Sequence, residues 1–477
     1  MSENGYMNSY VKDNDGTGYR DSGFNDNDDY SHIQTDTPDK SKLSPLNITY
    51  ENKNKNKKEK FKLSDLLTLN EFMCTINLLA STLGAAALIY PYIIYQIGII
   101  SFLLVFIFVS ITVYFSLDLL RRFVVDSKLF SFSIITQTTL GNLWLKIYAI
   151  TCFLFYMSCI VNYLDFLYKY ISSMLDFIEN GWGLFLYFLI SCIVEIILCI
   201  FTNKISKIHY LSLIVVGIFF IMIIVLIVNS IIDLLSGDFK SFSFFTIENK
   251  KAENNTAWNS FVFIMAKIIE IFYGFIYHSC FPTLLSSLDN IDSDKTNKVQ
   301  KISYSLLIII YLFFSFFGCS FYNEKSSLLF EKDVNISIIF FQYLIKSILA
   351  LLFITLIPIR YIVIRDNYTS LFGQEVLPLK YEILITSICL IMNNLIVCFI
   401  GSSDNFINQI MSYFGGAFGV FIAFVLPVIS YIALNSKLKC RSIIGYIIAS
   451  IFIIIGFFSI FYNFQSSEKN NTDNNDK

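Results

Sequence analysis

The strongest constraint in this chain is the recurrence, between Met73 and Phe464, of apolar blocks about twenty residues long. A hydrocarbon core about 30 Å thick takes about 20 such residues to cross as a helix. Backbone groups inside it must be satisfied by the protein itself, which leaves helices or closed barrels. Barrel strands alternate over about ten residues, and runs such as 211–228 do not alternate. Composition agrees: 55% of the 477 residues are hydrophobic and 15% charged, against about 25% charged in soluble domains, and mean hydropathy is +0.60. These numbers exclude a soluble enzyme, a nucleic-acid binder and a single-pass receptor. The expectation is an all-α polytopic membrane protein surrounded by membrane lipids, with no nucleic-acid partner.

About eleven spans are read: 68–97, 99–120, 143–168, 182–202, 209–232, 257–285, 302–322, 337–360, 382–401, 407–434 and 441–463. Residues 1–62 are polar and too poor in apolar surface to fold, so they are read as a disordered cytosolic tail. Lys53, Lys55, Lys57, Lys58, Lys60 and Lys62 stand against the first span, where anionic lipid heads on the cytosolic face attract them. With the N-terminus inside, the inner loops hold 14 Lys and Arg, Arg360 among them at a span end, and the outer loops hold 6. That is the sense of the positive-inside rule. Residues 464–477 are a polar C-terminal tail. The membrane is either the cell membrane or a vacuolar or lysosome-like one.

Six of the ten cysteines lie inside apolar runs, there is no C-x-x-C, and His32, His209 and His278 are far apart. No metal site and no cofactor are expected.

Most spans are monotonous Ile, Leu and Phe; the first and the sixth are not. The first reads Asn77 through Ser81, Thr82, Gly84, Ala85 and Ala86 to Pro91, and the sixth reads Tyr273, Gly274, Phe275, Ile276, Tyr277, His278 to Pro282. Both place a glycine about eight residues before a proline, and both fall in corresponding positions if the first ten spans form two halves of five. Interrupted helices so placed point to a transporter's binding site. Half-helix N-termini expose N–H groups suited to a carboxylate, and the opposing C-termini offer carbonyls to an ammonium or a cation. A zwitterionic amino acid matches both ends.

These residues resemble the amino acid/auxin permease (amino acid transporter transmembrane) family of the amino acid–polyamine–organocation superfamily. Asn77, Gly84, Pro91, Tyr92, Gln96 and Gly98 fit its first-helix pattern, with Ala86 where a second glycine is usual and Tyr90 where Leu is usual. His278 and Pro282 fit its His-x-x-x-Pro segment. Tyr304 to Gly318 resembles its seventh helix, and Ile357-Pro358-Ile359-Arg360 its Phe-Pro-x-Arg ending of the eighth. Phe414 to Gly419, followed by Leu426-Pro427 and Tyr431, resembles its tenth helix. The resemblance spans about residues 66–463. It implies a 5+5 inverted repeat with broken helices 1 and 6, about 66–232 and 257–434, one extra C-terminal helix at 441–463, alternating access, and amino acids as substrates.

The expected substrate-binding residues are Ser81, Thr82, Gly84, Ala85 and Ala86 in span one and Gly274, Phe275 and Tyr277 in span six. Tyr156 and Tyr163 in span three are candidates to hydrogen-bond the carboxylate. Asn77 could ligate a coupling cation. His278, read as the histidine inside the membrane, could take up a proton. The family's sodium-coupled members tend to carry a hydroxyl in the eighth helix; here 348–354 has none, with Ser347 and Thr355 at its flanks, which points to proton coupling or facilitated exchange. Lys267 and Glu270 share a helix face. Glu195 has no evident partner. The alternatives are an amino acid sensor with little flux and a sodium-coupled symporter. No convergent His, Asp or Ser set supports an enzyme.

Overall fold

The computed structural model describes residues 67–175, 178, 181–202, 205–236, 257–289, 291–319, 339–371, 378–400, 406–434 and 440–475. The expected tail 1–62 lies outside the described residues. Within them the regular structure is helical: α1 (Leu69–Thr82), α2 (Ala86–Ile97), α3 (Ile99–Ser127), α4 (Phe132–Leu140), α5 (Asn142–Ser172), α6 (Gly181–Phe201), α7 (Ile205–Ser236), α8 (Ala257–Tyr273), α9 (Phe281–Leu285), α10 (Ser293–Gly318), α11 (Ile339–Leu371), α12 (Leu379–Ile400), α13 (Phe406–Phe414), α14 (Leu426–Leu434) and α15 (Cys440–Asn475). Two π-helical stretches, Gly415–Gly419 and Phe421–Val425, join α13 to α14.

Among the described residues nine helical segments are long and apolar enough to cross a membrane, and α1 with α2, bent by 53°, makes a tenth. The remaining expected span, 257–285, is α8 and α9 separated by seven non-helical residues. The 17 residues of α8 rise about 25 Å at 1.5 Å each, short of a crossing on their own.

Charged side chains at helix ends are paired, and one helix outruns its apolar run where they are. On α3, Asp118 holds Arg121 at 2.7 Å and Arg122 at 2.8 Å, so the helix passes the expected end at 120 and reaches Ser127. At the start of α1, the Thr68 hydroxyl accepts from the Glu71 N–H while Glu71 Oε2 accepts from the Thr68 N–H at 3.0 Å. This reciprocal cap satisfies two donors that a helix start leaves bare, and Lys298 of α10 closes on the same carboxylate at 3.0 Å. The last helix, α15, runs on through the expected polar tail to Asn475.

The long helices α5 and α11 pack along one another at the centre. Phe353 stacks on Phe166 at 5.1 Å and on Tyr170 at 6.1 Å between them. The first broken span packs on α7, α10 and α11 and meets the second through α2 and α8, and Tyr273 at the end of α8 lies 5.4 Å from Phe155 of α5. Isoleucines and phenylalanines of the outer helices α6, α7, α12 and α15, such as Ile193, Ile197, Ile224, Ile388 and Phe457, are exposed, as a lipid-facing surface requires. The π-helical turns pass α15 closely: a Cβ on Gly416 would sit 3.2 Å from the Gly456 carbonyl oxygen.

Candidate functional site

The first span breaks at its glycine and not at its proline. Leu83, with ψ near 129°, turns the chain out of α1, and helical bonding resumes when the Ala87 and Leu88 N–H groups reach the Gly84 and Ala85 carbonyls. The N–H groups of Gly84, Ala85 and Ala86 therefore head α2 with no preceding turn to bond to, and the carbonyls of α1 end beside them. Pro91 is carried within α2.

Span six breaks over Gly274–Cys280. The N–H groups of Gly274, Phe275 and Ile276 reach back three residues, to Ile271, Phe272 and Tyr273, and tighten the last turn of α8. Pro282 then stands in the first turn of α9, where its missing N–H removes no bond.

The two breaks touch. A Cβ built on Gly274 would meet the Tyr90 hydroxyl and, at 2.6 Å, the Ala86 Cβ, so only a glycine lets the spans come this close. The Tyr90 hydroxyl donates to the Ile271 carbonyl at 2.9 Å. Above all, the Tyr311 hydroxyl of α10 lies 3.0 Å from the Thr82 carbonyl oxygen and 2.7 Å from that of Gly274. One hydroxyl thus serves the open ends of both broken helices. Tyr311 was not among the expected site residues.

A second anchor comes from α5 and α11. The Tyr163 hydroxyl stands over the first break, 2.5 Å from where a Gly84 Cβ would be. It accepts from Nε of Arg360 at 3.0 Å. The Arg360 guanidinium lies 5.8 Å from the Tyr156 ring centre and 6.0 Å from that of Tyr163. Arg360, assigned above to a span end, is inside α11 and 6% exposed; its long side chain carries the charge inward. The Tyr156 hydroxyl is buried with no hydrogen-bond partner among the described residues.

Beside the breaks lies a cavity of about 40 Å³, lined by Asn77, Ser81, Ser279, Thr283, Asp366 and Asn367 among others. A water takes about 10–15 Å³ by this measure, so the cavity has room for a few waters and is smaller than an amino acid. It holds two expected residues, Asn77 and Ser81. Asn77 Nδ2 donates to Nδ1 of His209 at 2.6 Å, while its Oδ1, the atom a cation would take, is buried without a partner among the described residues. His209, the second residue of the apolar stretch Ile208–Ile232 of α7, is the histidine that reaches Asn77.

The other expected residues divide. Ser81 and Thr82 turn their hydroxyls back to the Leu78 carbonyl, each at 2.8 Å; Thr82 serves the site through its carbonyl. Ala86 and Gly274 are at the contact between the breaks, Gly84 faces Tyr163, and Ala85 completes the first break. Phe275 packs into aromatics, 5.2 Å from Tyr311 and 5.4 Å from Phe106. Tyr277 lies edge-on to Phe281 at 5.9 Å. His278 is fully buried, and neither ring nitrogen has a hydrogen-bond partner among the described residues.

Two further polar groups find partners. Lys267 Nζ reaches both Glu270 oxygens at 2.8 Å, each side chain under 5% exposed. Glu195 on α6, for which the sequence offered no partner, accepts from Asn394 Nδ2 of α12 at 2.9 Å, and Ser191 bonds the same Asn394.

Residues 68–467 match the family described as transmembrane amino acid transporter protein. The chain belongs to this family. Its members are transporters, not enzymes, and the chain is accordingly an integral, multi-pass membrane protein. Among curated proteins it is similar to sodium-coupled neutral amino acid transporter 4 of Homo sapiens, 26% identical over 191 residues, which are 39% of this chain and 34% of that protein. The protein of the same name from Pongo abelii is 25% identical over 189 residues, 39% and 33% of the two chains. The match thus spans about a third of these relatives' length. Among solved structures, the fold is similar to that of an Eremococcus coleocola manganese transporter in complex with an aromatic bis-isothiourea substituted compound. The TM-score is 0.59 at 13% identity, over 84% of this chain and 88% of that one; at this identity the likeness speaks of fold alone.

Proposed function

We propose that this protein is a secondary transporter that moves amino acids across a membrane by alternating access. The observation that carries the reading is the meeting of two interrupted spans, whose free carbonyls converge on one hydroxyl, Tyr311. Peptide groups left bare by a helix break are tolerated at membrane depth where protein or a cavity faces them, and they suit both ends of a zwitterion. Spans one and six are taken as the opening helices of a 5+5 inverted repeat, with α15 as the added helix and the N-terminus in the cytosol.

The coupling we infer is to protons, or none, as in facilitated exchange. A sodium-coupled mechanism is the second reading, favoured by the name of the curated relatives and by the unpartnered Oδ1 of Asn77. The test is uptake of labelled amino acids into proteoliposomes of the full chain, with proton and sodium gradients imposed separately. Uptake that survives sodium replacement and collapses with a protonophore supports proton coupling. Strict sodium dependence supports the second reading. No flux of any amino acid, with binding retained, supports a sensor.

A further inference from the structure

Five arginines fall within the described residues. Four of them face a carboxylate: Arg121 and Arg122 on Asp118 at 2.7 and 2.8 Å, Arg365 on Glu382 at 3.6 Å, and Arg441 on Asp118 at 3.5 Å. The fifth, Arg360, is buried in α11, and among the described residues it forms no ion pair within 4.0 Å and its Nη1 has no hydrogen-bond partner. What surrounds it is neutral: the Tyr163 hydroxyl on Nε, the ring faces of Tyr156 and Tyr163, the thiols of Cys159 and Cys280, and the hydroxyl of Tyr311.

Arginine stays protonated in proteins, so this group is a fixed positive charge held out of water. Ring faces and a neutral hydroxyl offset only part of that desolvation. Charges kept inside a membrane protein face one another or a transport pathway. The guanidinium is tied through Tyr163 to the break at Gly84, and Tyr163, while accepting from Nε, keeps its own O–H proton to donate. The pair joined by the Nε–Tyr163 bond thus offers two donors, Nη1 and the Tyr163 hydroxyl, of the kind that a carboxylate's two oxygens accept from.

We propose that the absent counter-charge is the substrate's own: Arg360 Nη1 and the Tyr163 hydroxyl anchor the α-carboxylate of the transported amino acid. This rests on the transport reading and adds a substrate class to it. The substrate carries a free carboxylate and no net positive charge, because a cationic side chain would set a second positive charge beside a guanidinium that cannot discharge. Neutral and acidic amino acids are selected, and basic ones rejected.

The experiment uses the full chain in proteoliposomes, with labelled L-alanine, L-glutamine, L-glutamate and L-lysine as probes. For each, the methyl ester and the decarboxylated amine serve as competitors, and Arg360→Gln and Arg360→Lys are compared with wild type after size-exclusion chromatography. Wild type should accept neutral or acidic probes, reject lysine and ignore esters and amines. Arg360→Gln should raise KM at least about 30-fold, the smaller cost of leaving a buried charge partner unpaired, and Arg360→Lys should recover part of the loss. A well-folded Arg360→Gln with wild-type KM overturns the anchor and leaves the transport reading intact. If neither variant is monodisperse, esters that compete as well as their acids against wild type overturn it. Wild-type protein that neither transports nor is stabilised against heat by any probe overturns the transport reading and the anchor together.

Discussion

Tyr311→Phe removes one oxygen and leaves the ring, which packs 5.1 Å from Tyr90 and 5.2 Å from Phe275, in place. The lost hydroxyl serves two carbonyls, Thr82 at 3.0 Å and Gly274 at 2.7 Å. A single O–H proton makes one full bond and shares it weakly with the longer contact, yet both acceptors lose their partner. A buried polar group left unsatisfied costs about 1–3 kcal/mol. Side-chain hydrogen bonds in membrane proteins average nearer 0.6 and reach about 1.7 kcal/mol. Two carbonyls at helix ends, one at short range, put the expected loss at about 1–2 kcal/mol, or about 5–30-fold in any equilibrium that depends on the breaks staying together. The assay is paired: thermal unfolding of purified protein and initial uptake rates in proteoliposomes. Tyr304→Phe is the control: its ring also packs on Phe275, at 6.0 Å, but its hydroxyl donates to the Ser110 carbonyl of α3 at 2.7 Å and not to a carbonyl of either break. Both variants should unfold at lower temperature, and only Tyr311→Phe should change the uptake rate. Equal uptake by the two variants would refute the idea that this hydroxyl joins the working parts of the broken spans.

Three other outcomes follow from the same geometry. Gly274→Ala drives a methyl into the Tyr90 hydroxyl and the Ala86 Cβ; overpacking of this kind costs about 1–3 kcal/mol, so thermal stability and uptake should both fall, and Gly84→Leu, which pushes into Tyr163, should abolish uptake while the protein still inserts and purifies as a monodisperse species. Lys267→Met strands the buried Glu270 carboxylate and should destabilise by about 3–5 kcal/mol, whereas Lys267→Met with Glu270→Leu should recover most of the loss; unfolding midpoints of the two decide it. Thr68→Ala removes a helix cap and should cost about 1 kcal/mol, read as a lower unfolding midpoint.

Much of the fold is legible in the sequence because a bilayer leaves little choice. Apolar runs of span length had to be helices, and the glycines at 84 and 274 marked where two of them open. The prolines do not mark the openings: Pro91 rides inside α2 and Pro282 begins α9, because the chain opens where small residues let neighbours approach, not where an N–H is missing. The short helix α4 and the π-helical turns after Phe414 escaped the reading, since neither changes the hydropathy that defines a span. The site was less legible. Asn77, Gly84, Ala86 and Gly274 could be found because they are small or polar in apolar runs. Tyr311 could not, being one aromatic among 29 tyrosines and 49 phenylalanines, and its role depends on a hydroxyl placed by tertiary packing. His209 stood at a span's first residue and looked peripheral. Arg360 was visible but was assigned to water, as a terminal arginine usually is; the signal available was its place just after Pro358, with apolar residues continuing beyond it to Ile364.

The central claim is that the breaks at Leu83–Ala85 and Gly274–Cys280 form one binding site. Determining an experimental structure of the full chain with a transported amino acid bound tests it most directly. The account predicts the ligand lodged between the two interruptions, its carboxylate beside Gly84 and its ammonium toward the Thr82 and Gly274 carbonyls. A ligand seated elsewhere, or spans that run unbroken through either glycine, would contradict it.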